Sequence, residues 1–274
     1  MRAKKLTYTI FLNVVVWVLS LLMLIPLLLI LINSFKSSLE ASHMNLALPT
    51  QWHFENYAVV AEKGKLGMAF LNSMLYSVGS VMLTTLFSAA SAFVLSRRKS
   101  KLHNILYFFI VLGIAMPINY VSLMQVMQLF NLMGTRIGVI FLYTSIQIPF
   151  NVFLIYSFIS KIPRDIDEAA IIDGCSATQM FFKIISPLLK PVLMTVVVLT
   201  FLNTWNEFVL PLYLTKHSTQ WPMTLAVYNF FGMYFQDWNL VCVDIVLTSL
   251  PVIIIYLLGQ KHIVSGMTAG SVKG

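Results

Sequence analysis

The stretch between residues 161 and 191 carries the most regular pattern of charged and turn-forming residues in the chain. Pro163 suits the first position of a helix, and the acidic side chains after it oppose the positive end of that helix. Gly174 then predicts a left-handed helix cap. Ser176 and Gln179 have the spacing of a capping box, so we expect a second short helix that stops at Pro187. This helix–Gly–helix pattern predicts a surface that binds another molecule without covalent chemistry.

The binding surface combines acidic, small and aromatic residues, which suit a groove on a partner. An amphipathic helix that only rests on lipid is the alternative, but such helices are usually strongly basic. The 161–191 loop has four acidic and four basic residues, and this balance favours a protein partner. The residues that we expect to make the contact are Glu168, Ala169, Ala170, Asp173, Gly174, Phe181, Phe182, Ile185 and Pro187.

The rest of the chain predicts an integral membrane protein. Its 274 residues are 58% hydrophobic and 10% charged, whereas soluble domains carry about a quarter charged residues. A helix needs about 20 residues to cross the hydrocarbon layer, and continuous apolar runs exclude the alternating pattern of a barrel. We therefore predict an all-α, polytopic membrane fold with one domain, 1–274. Its six expected transmembrane helices cover about 10–32, 70–95, 104–127, 139–160, 192–215 and 241–260.

The basic residues predict the orientation of these spans. With both termini in the cytoplasm, thirteen of the eighteen Lys and Arg residues fall in cytoplasmic segments and five fall outside. Such an excess marks the cytoplasmic side. The 161–191 loop and a Gly-rich tail, 261–274, are then cytoplasmic. The net charge of +8 reflects this orientation, so we expect no nucleic-acid partner.

Glu207 is the full charge that we place inside the fifth span. A carboxylate in hydrocarbon is costly, so it should face protein or water. Amides and an aromatic ring surround it, and sugars are bound by such groups; a polar clasp between helices is the alternative. Asn203 shares the face of Glu207, and we expect Asn206 to point elsewhere. The candidate path residues, with two from spans three and four, are Asn203, Trp205, Asn206, Glu207, Gln125 and Asn151.

The remaining polar residues indicate no catalytic or metal site. Asp244 lies near the external end of the sixth span, where we expect water to reach it and its role to be structural. The five histidines are scattered along the chain. The sequence has no GxxxxGK[ST], HExxH or GxSxG motif. We therefore predict no catalytic residue, no bound cofactor and no hydrolysis of ATP by this chain.

The segment Glu168-Ala169-Ala170-x-x-Asp173-Gly174 resembles the EAA motif of ABC importer permeases, with mild departures at Cys175 and Ser186. The resemblance extends over nearly the whole chain. Its other parts are similar to the carbohydrate-uptake, maltose permease G-like branch of that family; they are Ala92–Arg97, Trp205-Asn206-Glu207-Phe208 and the terminal Gly266–Gly274.

The resemblance implies a subunit of a larger importer in the plasma membrane of a prokaryote. Its partners would be a second homologous permease subunit, two ATP-binding-cassette ATPase subunits docked at the EAA loop, an extracellular solute-binding protein and membrane lipid. ATP and Mg²⁺ would be bound by the ATPase partners. The expected function is import of a sugar, in particular an oligosaccharide, by alternating access. The tail 263–274 would either reach the ATPase interface or remain disordered.

An ion-coupled secondary transporter or a channel is the rival interpretation. It predicts intramembrane acids arranged to bind ions and no docking loop. The sequence offers only Glu207 and Asp244 within the expected spans, and the loop is present. These features favour the ATP-driven importer.

Overall fold

The computed structural model describes residues 2–98, 100–230 and 237–271, with side chains placed between 9 and 261 in those ranges. Every regular element in these ranges is helical. The α-helices are α1 (Arg2–Asn33), α2 (Ser38–Ala41), α3 (Glu55–Lys63), α4 (Leu66–Arg97), α5 (Lys101–Leu112), α6 (Tyr120–Leu129), α7 (Arg136–Ile159), α8 (Asp165–Ile172), α9 (Ala177–Gln179), α10 (Ser186–Leu188), α11 (Lys190–Asn206), α12 (Val209–Leu214), α13 (Met223–Ala226) and α14 (Trp238–Ser271). A π-helical segment, Met180–Ile185, joins α9 to α10, and two 3₁₀ turns cover Ser218–Gln220 and Val227–Phe230.

The first of two compact units comprises residues 1–67 and 226–250. The α1 side chains between Thr9 and Leu28 are exposed and mostly apolar, as a helix facing lipid requires. The segment after α1 is held by the buried Asn56, whose amide donates to the carbonyls of Ser34 (3.0 Å) and Lys36 (2.9 Å). Asn239 of α14 donates in turn to the Asn56 carbonyl oxygen at 3.3 Å.

The second unit comprises residues 68–225 and 251–274. Its main apolar core joins the last turns of α4 and α7 to the first turns of α11, with Ala92, Ile155 and Val196 fully buried. The π-helical segment packs into the same core through Phe181 and Ile185. This core therefore ties the 161–191 loop to the ends of three long helices.

Four of the predicted spans are single long helices. In the part of the chain that the structure describes, α1 from Thr9, α4, α7 and α14 up to Lys261 are long and apolar enough to cross a membrane. They correspond to the first, second, fourth and sixth predicted spans. Pro26, Pro149 and Pro251 lie inside these helices without ending them.

The third predicted span, 104–127, is wrong as a continuous helix. It is divided into α5 and α6, with Gly113 at the end of α5 and Asn119 at the start of α6. The Asn119 side chain accepts a hydrogen bond from the Ser122 amide at 3.0 Å, so a new helix begins there. Pro117 lies in the break and cannot donate the backbone bond that a continuous helix needs.

The fifth predicted span, 192–215, is also broken. α11 ends at Asn206 and α12 begins at Val209, because Pro211 has no N–H to donate to the Glu207 carbonyl. The chain also bends by 79° between Ala177–Leu188 and α11. Over the described residues, the structure thus has four membrane-length helices, or five if this bent pair forms one span.

α14 differs from the sequence expectation in two respects. The segment 261–274 was predicted as a Gly-rich tail, but the backbone stays helical as far as Ser271. Residues 272–274 lie outside the described part. Asp244 was expected to reach water, whereas it is only 2% exposed.

Candidate functional site

The first half of the 161–191 loop has the local structure that its sequence predicts, except that Pro163 precedes the helix and its N-cap, Arg164, instead of occupying the first helical position. α8 starts with Asp165, Asp167 and Glu168 in its first turn. Gly174 has φ +76°, in the left-handed region. Its amide donates to the Ile171 carbonyl (3.0 Å) and that of Cys175 donates to the Ala170 carbonyl (2.9 Å). These two bonds form a Schellman cap, which satisfies the last carbonyls of α8.

The second half of the loop departs from the prediction at Pro187. The capping box is present, since Ser176 and Gln179 exchange both of its hydrogen bonds. The helix does not stop at Pro187 but continues to Leu188. Between Met180 and Ile185 it widens to π geometry, so the Ser186 amide reaches the Phe181 carbonyl. This change of bonding pattern lets Pro187, at the start of α10, follow without a backbone donor.

The apolar face of the second helix is turned into the protein. Phe181 and Ile185 are buried in the core of the second unit, and the Phe181 ring lies 5.4 Å from that of Phe93 in α4. Phe182 remains 56% exposed. The expectation that this whole face is free for a partner is therefore wrong, because the helix uses most of it to attach itself to α4 and α7.

The exposed part of the loop is the outer surface of α8 and its cap. Glu168, Ala169 and Asp173 are exposed, whereas Ala170 is buried against the core. Ile171 and Ile172 are 63% and 85% exposed. These two isoleucines were not among the predicted contact residues; two adjacent β-branched apolar residues in a short helix with three acidic residues were the available signal. Exposed isoleucines beside carboxylates suit a partner that offers an apolar pocket and basic groups.

A second missed residue is Arg97, the last residue of α4. Its Nε lies 2.6 Å from Oδ2 of Asp167 in α8, and both side chains are 13% exposed. One Nη atom donates to the other Asp167 oxygen at 3.3 Å, and the second donates to the Ile162 carbonyl at 3.2 Å. Arg164 closes the contact from the other side by donating to the Arg97 carbonyl at 3.3 Å. α8 is thus joined to the end of α4 by a largely buried ion pair and by hydrogen bonds on either side of it.

A cavity of about 460 Å³ lies in the second unit where α11 breaks. Four of the six candidate path residues line it: Asn151, Asn203, Asn206 and Glu207. Asn206, the last residue of α11, also lines the cavity, so the prediction that it points elsewhere is wrong; residues three apart on a helix, such as Asn203 and Asn206, are neighbours on one face. Tyr143 and Phe150 supply aromatic surface, and Gln147, Thr200 and Thr204 add polar groups. Gln147 was expected from the sequence as part of the polar face of span four, whereas Tyr143, Phe150, Thr200 and Thr204 were not singled out.

Trp205 and Gln125 do not line this cavity. Trp205 is buried, and its ring packs against those of Phe201 (5.5 Å) and Phe70 (6.0 Å). Gln125 is an exposed residue of α6. The aromatic surface predicted at Trp205 is therefore part of the packing behind α11, while Tyr143 and Phe150 of α7 provide the rings at the cavity.

Glu207 stabilises the break in the fifth predicted span. Its carboxylate accepts hydrogen bonds from the amides of Val209 (2.8 Å) and Leu210 (3.0 Å) at the start of α12. Its carbonyl, which Pro211 leaves without a donor, accepts from the Thr224 hydroxyl at 3.0 Å. Neither sequence interpretation described this arrangement, in which one oxygen caps a helix while the residue also borders the cavity.

Polar contacts hold the two helices that form the cavity wall. The Gln147 amide donates to the Thr204 hydroxyl at 2.9 Å, and the Asn151 amide donates to the Thr200 hydroxyl at 3.2 Å. Amides and hydroxyls therefore dominate the polar lining, and Glu207 is the charged residue among the lining residues described. Such a surface suits a ligand rich in hydroxyl groups and without negative charge.

The described ranges contain no candidate metal-binding site. Within them, no three His, Cys, Asp or Glu side chains come together in a group that could hold a metal ion. Cys175 and Cys242 are free thiols.

Residues 82–269 match the family described as binding-protein-dependent transport system inner membrane component. Three relatives with curated descriptions match most of the chain. The diacetylchitobiose uptake system permease protein NgcG of Streptomyces coelicolor is 33% identical over 258 residues, which cover 93% of this chain and 85% of that protein. The probable starch degradation products transport system permease protein AmyC of Thermoanaerobacterium thermosulfurigenes is 35% identical, with coverage of 93% and 94%. The multiple sugar-binding transport system permease protein MsmG of Streptococcus mutans is 35% identical, with coverage of 92% and 93%.

A solved structure shares the fold. The crystal structure of a bacterial ABC transporter involved in the import of the acidic polysaccharide alginate contains a chain that superposes with a TM-score of 0.82. The match covers 93% of this chain and 96% of that one, at 22% sequence identity.

Proposed function

The chain belongs to the family of binding-protein-dependent transport system inner membrane components, and we propose that it is the non-catalytic permease subunit of an ABC importer for sugars. The protein resides in the plasma membrane of a prokaryote. The observation that carries the proposal is the exposed α8 surface, because it is fixed to the ends of the long helices by a buried core. A subunit that receives force from outside the membrane needs such an attachment.

In this proposal the chain crosses the membrane six times, with both termini in the cytoplasm. α5 and α6 are about 18 Å and 15 Å long, so together they match the ~30 Å hydrocarbon layer as a broken third crossing. α11 and α12 form the broken fifth crossing. Broken helices near the middle of the membrane are common at transporter binding sites, since their free backbone groups and ends can face a ligand.

The 161–191 loop is the proposed docking surface for two ATPase subunits, which bind ATP and Mg²⁺. Ile171 and Ile172 provide apolar anchors, with Glu168, Ala169 and Asp173 beside them. Gly174 sets the turn, and Phe182 borders the surface. Ala170, Phe181 and Ile185 are buried beneath the surface and hold it in place, whereas Pro187 is exposed at the start of α10.

The cavity is the proposed sugar path, shared with a second, homologous permease subunit and supplied by an extracellular solute-binding protein. Asn151, Asn203, Asn206 and Glu207 offer hydrogen bonds to hydroxyl groups, and Phe150 offers a ring face. An oligosaccharide without negative charge fits this lining, since a carboxylate on the substrate would meet Glu207 with no lysine or arginine among the described lining residues. Nucleotide-driven closure of the ATPases would switch the cavity between its two sides.

The proposal is tested at Ile172, which is 85% exposed in the free subunit. Burying an isoleucine is worth about 1.5–3 kcal/mol, so Ile172→Asp should weaken ATPase binding by at least ~10-fold. Co-purification of the ATPase with tagged permease measures this effect. Leu48→Asp is the matched control, because Leu48 is 69% exposed and lies before α3, outside the loop.

Two results would contradict the proposal. In one, Ile172→Asp retains the ATPase as well as the wild type does. In the other, the purified chain alone moves solute in response to an ion gradient and without ATP, which would support the ion-coupled carrier.

A further inference from the structure

The ion pair between Arg97 and Asp167 lies outside the exposed surface of α8, yet it fixes the direction in which that surface faces. We propose that Arg97 and Asp167 act as a pair of positioning residues that couples movement of α8 to α4. This inference rests on the proposed function, because it assumes that the ATPase moves α8. Neither residue needs to touch the ATPase or the sugar.

The geometry explains why this pair, and not the apolar core alone, would transmit movement. Apolar packing is non-directional, so helices held by it can slide. The Arg97 Nε lies 2.6 Å from Oδ2 of Asp167, and one Nη atom donates a hydrogen bond to Oδ1 at 3.3 Å. A hydrogen bond between charged groups is directional, so it fixes orientation as well as distance. The remaining Nη donates to the Ile162 carbonyl at 3.2 Å, just before α8.

Side chains from both sides connect the C-terminal end of α4 to the N-terminal end of α8. Arg97 ends α4, and Asp167 lies in the first turn of α8. Arg164, which precedes α8, donates to the Arg97 carbonyl at 3.3 Å. A displacement of α8 is therefore transmitted to the last turn of α4 through three side-chain contacts. α4 is a 32-residue helix, and its Ala92 and Leu95 are buried in the core of the second unit.

The partial burial of both side chains makes the pair sensitive to single substitutions. Each is 13% exposed, so removal of one charge leaves the other with little water to replace it. A charged residue at the exposed surface would not show this sensitivity to substitution, because water solvates its charge. Arg98 provides that comparison, because it is exposed, directly follows Arg97 and lies outside the docking loop.

The test uses the complete importer in proteoliposomes, with sugar uptake and ATP hydrolysis measured in the same sample. Asp167→Asn and Arg97→Gln should each lower the sugar transported per ATP hydrolysed by about tenfold. The double variant should lose no more than either single variant, because one interaction is removed in all three. Asp167→Glu and Arg97→Lys should recover part of the ratio. Arg98→Gln, outside the docking loop, should stay within about twofold of the wild type.

The outcomes separate this inference from the proposed function. An unchanged ratio in both single variants, or losses that add in the double variant, would overturn the role of the pair. Loss of ATPase assembly in the single variants would also overturn it, because the pair would then serve docking itself. If the wild-type importer shows no ATPase stimulation by loaded binding protein, the proposed function fails instead.

Discussion

Gly174 offers a direct test of the geometry at the end of α8. Its φ of +76° lies where L-residues with a Cβ atom are strained, yet no heavy atom lies within 4 Å of a Cβ added there. Gly174→Ala therefore changes backbone energy without a steric clash. The left-handed conformation costs such a residue about 1–2 kcal/mol, which corresponds to a roughly 5- to 30-fold larger population of the opened cap.

Hydrogen exchange at the Cys175 amide measures this opening. That amide donates to the Ala170 carbonyl at 2.9 Å, so it exchanges when the cap breaks. In the purified permease we expect Gly174→Ala to accelerate its exchange by the same roughly 5- to 30-fold factor. Gly174→Asn should have a smaller effect, because asparagine enters the left-handed region more readily than alanine.

Gly67 supplies the matched control. It is the second residue of α4 and also has no heavy atom within 4 Å of an added Cβ, but its backbone is helical. Gly67→Ala should leave the Cys175 amide unchanged and leave α4 equally or more stable, because alanine is favoured over glycine in helices. Exchange at Cys175 within twofold of the wild type in Gly174→Ala would refute the strained cap, as would equal acceleration by Gly67→Ala.

Two further predictions concern the cavity and the segment after α1. Asn203→Leu should raise the KM for sugar uptake by about 2- to 13-fold, which corresponds to the loss of one hydrogen bond. Gln128→Leu should leave the KM unchanged, because Gln128 is exposed on α6 and does not line the cavity. Equal KM values in the two variants would exclude Asn203 from the path. Hydrogen bonds from Thr50 hold the pKa of the Glu40 carboxyl below its ordinary value of 4.5. This contact should therefore stabilise the segment above that pH and lose its effect as the pH falls through the lowered value. The protection factor of amides near Thr50, which is the exchange rate of an unstructured peptide at the same pH relative to the observed rate, should fall on acidification in the wild type but not in Glu40→Gln; the same pH dependence in both would exclude Glu40 as its origin.

The parts of the fold that depend on neighbouring residues could be predicted from the sequence. Acidic first-turn residues, Gly174 and the Ser176–Gln179 box act within one or two helical turns, and the structure has α8, the left-handed cap and the capping box where they predict them. Long uncharged runs predict α1, α4, α7 and α14 because this signal, too, is contained in one continuous segment of the chain. Each run alone satisfies the length and the apolar character of a spanning helix.

The features that depend on distant residues were not predictable from the sequence. Arg97 and Asp167 are 70 residues apart, so no local pattern indicates their pairing. Trp205 was assigned to the path because aromatic rings bind sugars, but Phe70, far earlier in the chain, covers it. The apolar residues of the second loop helix have the helical spacing of a face that packs against another surface. The sequence does not show that this surface belongs to the protein's own α4 and α7.

The break in the fifth predicted span shows how one backbone defect creates a polar site in an apolar helix. Pro211 removes a backbone donor, which leaves the Glu207 carbonyl to Thr224 and lets the Glu207 carboxylate cap α12. Asn203 and Asn206 both lie in α11, and they border the cavity together because residues three apart are neighbours on one helix face. The proline therefore accounts for the position of Glu207, whereas helical period accounts for the two asparagines.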